Sequence, residues 1–153
     1  KARDKSCNVT IKTELDNSIG NIKVNPQDIG RVFLNLLNNA FYAVNEKAKL
    51  RSAQGGYEPR VTVRTRRAAN NIEIRVEDNG IGIQASLKKK YEQEEIESDH
   101  HSLGIANVKQ RIQVLNEKYN LHSHVTIEDK SNPAGNGTGT LVTLHLPIKN
   151  REL

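Results

Sequence analysis

The sequence predicts a two-layer α/β (α+β) sandwich, one mixed sheet covered on one face by helices. Three observations predict it. Two long segments place apolar residues at helical spacing, several short segments alternate apolar and polar residues, and the two kinds are interleaved without a linker or an internal repeat.

Asn8 to Asp16 alternates, with Val9 and Ile11 on one side, and predicts a strand with one buried face. Ile22 to Val24 predicts a second, short strand. A helix start follows: Asn25 can cap, Pro26 suits the first helical position, and Asp28 sits near the positive end of the dipole. Ile29, Val32, Phe33, Leu36, Leu37, Ala40 and Val44 form its apolar stripe to about Lys47. Arg51 to Pro59 is a loop. Val61 to about Arg67 and Ile72 to Val76 alternate around a turn at Ala69 to Asn71, which predicts a hairpin. Gln84 to His101 is polar and charged, a mobile loop that could carry a short helix. Ser102 caps a second long helix with Ile105, Val108, Ile112 and Leu115 inward. His122 to Glu128 predicts a strand, Asp129 to Gly139 a loop, and Thr140 to Leu146 a last strand closed by Pro147.

At 153 residues the chain has room for one domain and one core. Hydrophobic residues are 35% and aromatic ones 4%, so aliphatic side chains do the packing. No apolar run is long enough to cross a bilayer, and no signal peptide opens the chain. The lone Cys7 excludes an internal disulfide framework and a cysteine-ligated zinc site, and it acquires no role. The expected compartment is cytoplasmic, although a parent protein could be membrane-anchored. With no Met at all, the chain is expected to be a piece of a longer protein. The net charge of +5 favours acidic partners, but the basic residues are scattered and few aromatics are left for stacking. Nucleic-acid binding is therefore not expected.

Four segments could carry chemistry. In Asn35-Leu36-Leu37-Asn38-Asn39-Ala40, Asn35 and Asn39 share one helix face, a row that Tyr42 and Glu46 continue. Amide oxygens there suit a magnesium ion that already shares phosphate oxygens. Asp78-Asn79-Gly80-Ile81-Gly82-Ile83 follows a strand. Its glycines let the backbone approach a ligand, and Asp78 can accept from an exocyclic amine. Ser102-Leu103-Gly104-Ile105-Ala106-Asn107 opens a helix, whose free N–H groups suit a phosphate. Gly137-Thr138-Gly139-Thr140 leads into the last strand. Taken singly, these read as an Asn-rich helix face, an ordinary turn, a capped helix and a hairpin turn.

Together, in this order, they resemble the nucleotide-binding motifs of the GHKL ATPase superfamily, along essentially the whole chain. Asn35 to Ala40 matches the N box and Asp78 to Ile83 the first glycine box. Ser102 to Ile105 falls at the second, and Gly139-Thr140 with Thr143 and Leu146-Pro147 resembles the last. Within the superfamily the likeness is greatest to the catalytic ATP-binding domain of sensor histidine kinases, short-lid variety. Asn107-Val108-Lys109-Gln110-Arg111-Ile112 fits the pattern that follows the second glycine box there.

The resemblance implies a Bergerat-type mixed sheet and a cycle that uses ATP and Mg²⁺. Asp78 would accept the adenine amino group. Asn39 would hold Mg²⁺, with Asn35 beside it. Gly80 and Gly82 would let the loop close. Ser102 and Gly104 would face the phosphates, and Thr143 would lie near the adenine. Branches that hydrolyse ATP carry a Glu where Asn35 stands, and an amide is no general base at neutral pH. That implies transfer of the γ-phosphate to a histidine on a dimerisation domain outside this chain. The phosphate would then pass to the receiver domain of a response regulator, and the parent would be a homodimer.

Several residues depart from the pattern. Ser102 replaces a glycine, Tyr42 stands where many such kinases carry a basic residue, and Gln84 to His101 lacks the usual Phe of the ATP lid. Lys88, Lys89, Lys90, His100 and His101 are the candidate positive partners for the phosphates, each of them also readable as solvated surface. None of His100, His101, His122, His124 and His145 lies in a phosphoacceptor pattern. The other readings are a degenerate nucleotide-binding module acting as a non-catalytic interaction domain, and a superfamily kinase acting on protein serine.

Overall fold

The computed structural model describes residues 8–22, 24–51, 55–82, 102–130 and 138–147, and for 102–106 the backbone alone. Its elements are β1 (Thr10–Glu14), α1 (Pro26–Arg51), β2 (Arg60–Ala68), β3 (Asn71–Asp78), α2 (Ser102–Tyr119), β4 (His124–Asp129) and β5 (Thr140–Pro147). The five strands form one sheet in the order β1-β2-β3-β5-β4. β1 pairs with β2 in parallel, because α1 carries the chain back before β2 begins. The other pairs are antiparallel, so the sheet is mixed, as the sequence predicts.

α1 starts where the capping chemistry places it. Asn25 Oδ1 accepts the Gln27 and Asp28 N–H groups at 3.0 and 3.3 Å. The helix runs a turn past Lys47, to Arg51, and Lys49 and Arg51 there complement its negative end. Val32, Leu36, Ala40 and Val44 pack with Val108, Ile112 and Leu115 of α2 onto Val61, Ile72, Val76, Val142, Leu144 and Leu146. The C-terminal end of α2 is tied to the start of α1: Tyr119 Oη donates to Asp28 Oδ2 at 3.0 Å and accepts from Asn25 Nδ2 at 3.0 Å. The core is aliphatic, and alternation along the strands sends one set of side chains into it.

The other face of the sheet is polar. Strand register puts Glu14, Arg64, Glu77, Arg75, Glu73, Arg66, Thr143 and His145 on it. Arg64 pairs with Glu14 and with Glu77, and Glu73 with Arg66 and Arg75. The rings of His124 and His145 stack, with centroids 4.3 Å apart. Arg64 and Arg66 are thus both engaged by carboxylates.

Three expectations change. β1 has no buried face: all five of its residues are exposed. It is the edge strand, and two helices do not reach over it. Ile22 and Val24 pack half-buried outside any strand, and Lys23 lies outside the described residues. β4 starts at His124, not His122, because Ser123 is held off the sheet by Asn116. Its N–H donates to Asn116 Oδ1 and its carbonyl accepts from Asn116 Nδ2, both at 2.8 Å. The predicted loop at Gln84 to His101 lies outside the described residues, as does most of that at Asp129 to Gly139.

Candidate functional site

Asp78 is the last residue of the central strand β3, and only 5% of it is exposed. It continues the row Ile72, Ile74, Val76 that faces the helices, so the carboxyl stands where an apolar residue would complete the core. Its Oδ1 accepts the Gly80 N–H at 2.8 Å. Burial pushes the carboxyl up to about 6, even though the Gly80 and Thr140 backbone amides and the Lys130 charge pull the other way.

The turn after Asp78 is pinned from both sides. The Asn79 side chain accepts the Arg60 N–H and donates to the Glu58 carbonyl, both at 2.8 Å. The Tyr57 hydroxyl donates to the Asn79 carbonyl at 2.9 Å. On the other side, the Ile81 N–H donates to the Ala43 carbonyl of α1 at 3.2 Å. Gly80 is pressed against α1: a Cβ there would meet Ala43 backbone at 2.5 Å. Its smallness serves helix contact, whereas Gly82, at φ +82°, supplies the left-handed turn. Gly139 closes over the strand end, where a Cβ would stand 2.1 Å from the Asp78 carbonyl oxygen.

α1 brings a row of residues along this end of the sheet. Asn35 and Asn39 lie two turns and one turn before Ala43, half-buried. Neither carboxamide has a hydrogen-bond partner among the described residues, so their oxygens are available to a ligand. Tyr42 keeps its proton: burial, then Glu46, raises its pKa. One turn beyond Ala43, Lys47 Nζ donates to Thr138 Oγ1 at 2.6 Å and lies 4.9 Å over the Tyr57 ring. Thr138 in turn donates to the Gly80 carbonyl at 2.5 Å. Burial, with Arg51 nearby, pushes the Lys47 ammonium down, and Asp78 partly offsets it.

The predicted residues therefore separate. Asp78, Gly80 and Gly82 sit at one end of the sheet, where α1 delivers the Asn35–Asn39 row. Ser102 and Gly104 are the first and third residues of α2, and their side chains lie outside the described residues. So do Lys88, Lys89, Lys90, His100 and His101. Thr143 does not join the site. It pairs with Arg75 on the polar face, because odd-numbered residues of β5 point away from Asp78. Thr140, directly opposite Asp78 and 9% exposed, takes that place. Sequence reasoning also missed Lys47 and Tyr57 as parts of the site, and it named Thr138 only within the Gly137 to Thr140 segment. The signal for Lys47 was its spacing, four residues past Ala43 and eight past Asn39.

Among the described residues, no three His, Cys, Asp or Glu side chains are placed to hold a metal ion. No described helix is long and apolar enough to cross a membrane. A groove of about 350 Å³ between α1 and α2, lined by Arg31, Asn107, Arg111 and Val114, lies apart from Asp78.

Residues 24–150 match the family described as "Histidine kinase-, DNA gyrase B-, and HSP90-like ATPase". No curated protein matches the chain. Among solved structures, the nucleotide-free catalytic domain of histidine kinase ThkA superposes with a TM-score of 0.59 at 18% identity, over 92% of this chain and 78% of that one. The mycobacterial sensor histidine kinase MprB gives 0.57 at 21% identity, over 92% and 82%. Histidine kinase ThkA in complex with response regulator protein TrrA gives 0.60 at 16%, over 92% of this chain and 34% of that one. At these identities the likeness is one of fold.

Proposed function

Because the chain belongs to the family of histidine kinase-, DNA gyrase B- and HSP90-like ATPases, we propose that it is the ATP-binding catalytic domain of a sensor histidine kinase. The observation that carries the reading is the buried Asp78 carboxyl, whose following turn touches α1 at Ala43, one and two turns past the Asn39 and Asn35 amides, which have no hydrogen-bond partner among the described residues. A carboxylate at that depth accepts the exocyclic N–H of adenine and rejects a carbonyl in its place. Thr140 and the backbone around Gly80 and Gly139 shape the purine end.

The Asn39 carboxamide oxygen is a hard, neutral ligand of the kind Mg²⁺ takes when phosphates supply most of its shell, and Asn35 stands one turn away. Bound there, Mg²⁺ would neutralise charge on the β- and γ-phosphates. The N-terminal turn of α2, at Ser102 and Gly104, would add backbone N–H donors to the phosphates. Asn35 orients and does not deprotonate. The γ-phosphoryl group then leaves the β-phosphate oxygen for a ring nitrogen of an acceptor histidine, and ADP departs. The acceptor belongs to a dimerisation domain of a longer, homodimeric parent. A response-regulator aspartate is the next acceptor, and cytosolic ATP places the domain in the cytoplasm.

The experiment is melting in the presence of ADP or a non-hydrolysable ATP analogue, with and without Mg²⁺. A nucleotide that binds only the folded state raises Tm by mass action. No rise at millimolar nucleotide would sink the reading. Tyr42, standing where many such kinases carry a basic residue, favours a second reading, a nucleotide-responsive module that transfers no phosphate. Phosphorylation of the parent's own dimerisation domain, mixed in trans with ATP, would reject it.

A further inference from the structure

The groove between α1 and α2 carries charge that the described fold does not answer. Asn107, Arg111, Val114 and Lys118 recur at three- and four-residue spacing, so one face of α2 forms a wall about 16 Å long. Asp28 and Arg31, from the first turns of α1, form the other wall. Three cations thus face one carboxylate, and that carboxylate is already engaged. Lys118 Nζ lies 3.6 Å from Asp28 Oδ2, and the Tyr119 hydroxyl donates to the same oxygen. Arg31 and Arg111 are exposed and have no ion pair or hydrogen bond among the described residues. The arginines of the polar sheet face differ: Arg64, Arg66 and Arg75 each meet a carboxylate.

The groove is also apolar along its length. Val114 is 53% exposed, between Arg111 and Lys118 on the same helix face, and Leu115 beside it is 5% exposed. Exposed apolar surface flanked by uncompensated guanidiniums asks for a ligand with both characters.

We infer that this groove docks an acidic amphipathic helix of a partner protein. The partner's apolar stripe lies on Val114 and Leu115, and its Asp or Glu flanks meet Arg31 and Arg111. Two packed helices leave a furrow that a third fills by ridges-into-grooves packing. A guanidinium takes a carboxylate in a bidentate fork. Because neither arginine has a partner to give up, no ion pair of the fold has to break first. A nucleic acid fits less well, since no described lining residue is aromatic and the apolar wall would face phosphate. The groove lies apart from Asp78, so the inference does not rest on nucleotide binding, and the melting experiment reads that site separately.

Fluorescence anisotropy tests it, with the whole chain titrated into a labelled, Ala-rich peptide that carries Leu at i, i+3, i+4 and i+7 and Glu along both flanks. Saturable binding is expected. Arg31→Glu, Arg111→Glu and Val114→Asp should each weaken it at least about fivefold. Lys12→Glu changes the net charge as much as either arginine reversal, but on the other face of the sheet, and should weaken it less than about twofold. With both arginines reversed, the chain should prefer the peptide whose Glu residues are replaced by Lys. A peptide of the same charge with Pro at its centre should bind at least about tenfold worse. Circular dichroism checks the fold of each variant. No saturable binding at millimolar chain would leave a solvated surface and overturn the inference. So would an equal loss with Lys12→Glu, which marks a response to net charge, or equal binding of the Pro peptide, which marks a site for any polyanion.

Discussion

Gly80 and Ala43 touch so closely that a single methyl group cannot be placed between them: a Cβ on Gly80 would lie 2.5 Å from the Ala43 carbonyl carbon and 2.6 Å from its Cβ. The Ile81 N–H bonds to the carbonyl of the same Ala43. Position 80 is therefore where helix and strand end are joined, and Gly80→Ala should destabilise the chain by about 1–3 kcal/mol. Chemical denaturation reads this. Adding Ala43→Gly should recover none of the backbone overlap, so the double variant stays less stable than wild type.

The Asp78 carboxyl makes stability and binding pull in opposite directions. Its folded pKa, about 6, lies above the ordinary carboxyl value of 3.8. The folded state thus holds the proton more tightly, and this contribution is fully present below the unfolded value and lost as pH rises through the folded one. Between pH 4 and 6 stability should fall with pH at this site, by at most about 3 kcal/mol. Asp78→Asn should raise Tm at pH 7, lose that advantage near pH 4, and abolish the Tm rise given by ATP. A variant that melts lower than wild type at pH 7 would show that the ionised carboxyl stabilises the fold.

Lys47, Thr138 and Gly80 form a chain of hydrogen bonds from α1 to the strand-end turn. Lys47→Met and Thr138→Val should each cost about 1 kcal/mol. Together they should cost clearly less than the sum, because each removes the same bond. Calorimetric titration with ADP should show weaker binding in both single variants, to a similar degree.

Asn39→Ala removes an amide that no described residue needs, so Tm without nucleotide should change by no more than a degree or two. The Mg²⁺-dependent part of the ATP-induced rise should disappear. If the rise survives in full, Mg²⁺ is held without this residue.

Much of this was legible in the sequence, because each legible part depends on local pattern. The Asn25–Pro26 start, the apolar stripe of α1 and the hairpin around Ala69 are written in neighbours one to four residues apart. Asp78 at a strand end, followed by glycines, was legible for the same reason. What failed depends on position in the whole sheet. The alternation of β1 is real, yet an edge strand has no layer above it, so its apolar residues are exposed. Thr143 and Thr140 look interchangeable in the sequence, and only register with β3 shows which one shares a face with Asp78. Lys47 and Thr138 are 91 residues apart, beyond any local signal.

β3 is the middle strand of five, hydrogen-bonded on both sides along its length, and it ends in Asp78. Its amides should be among the last to exchange with deuterated solvent, opening only with the whole molecule. The Asp78 carboxyl, proposed above to read the purine, is thus mounted on the strand held most firmly on both sides. Breathing of the edges leaves it in place, and a base that docks there meets a fixed frame of reference.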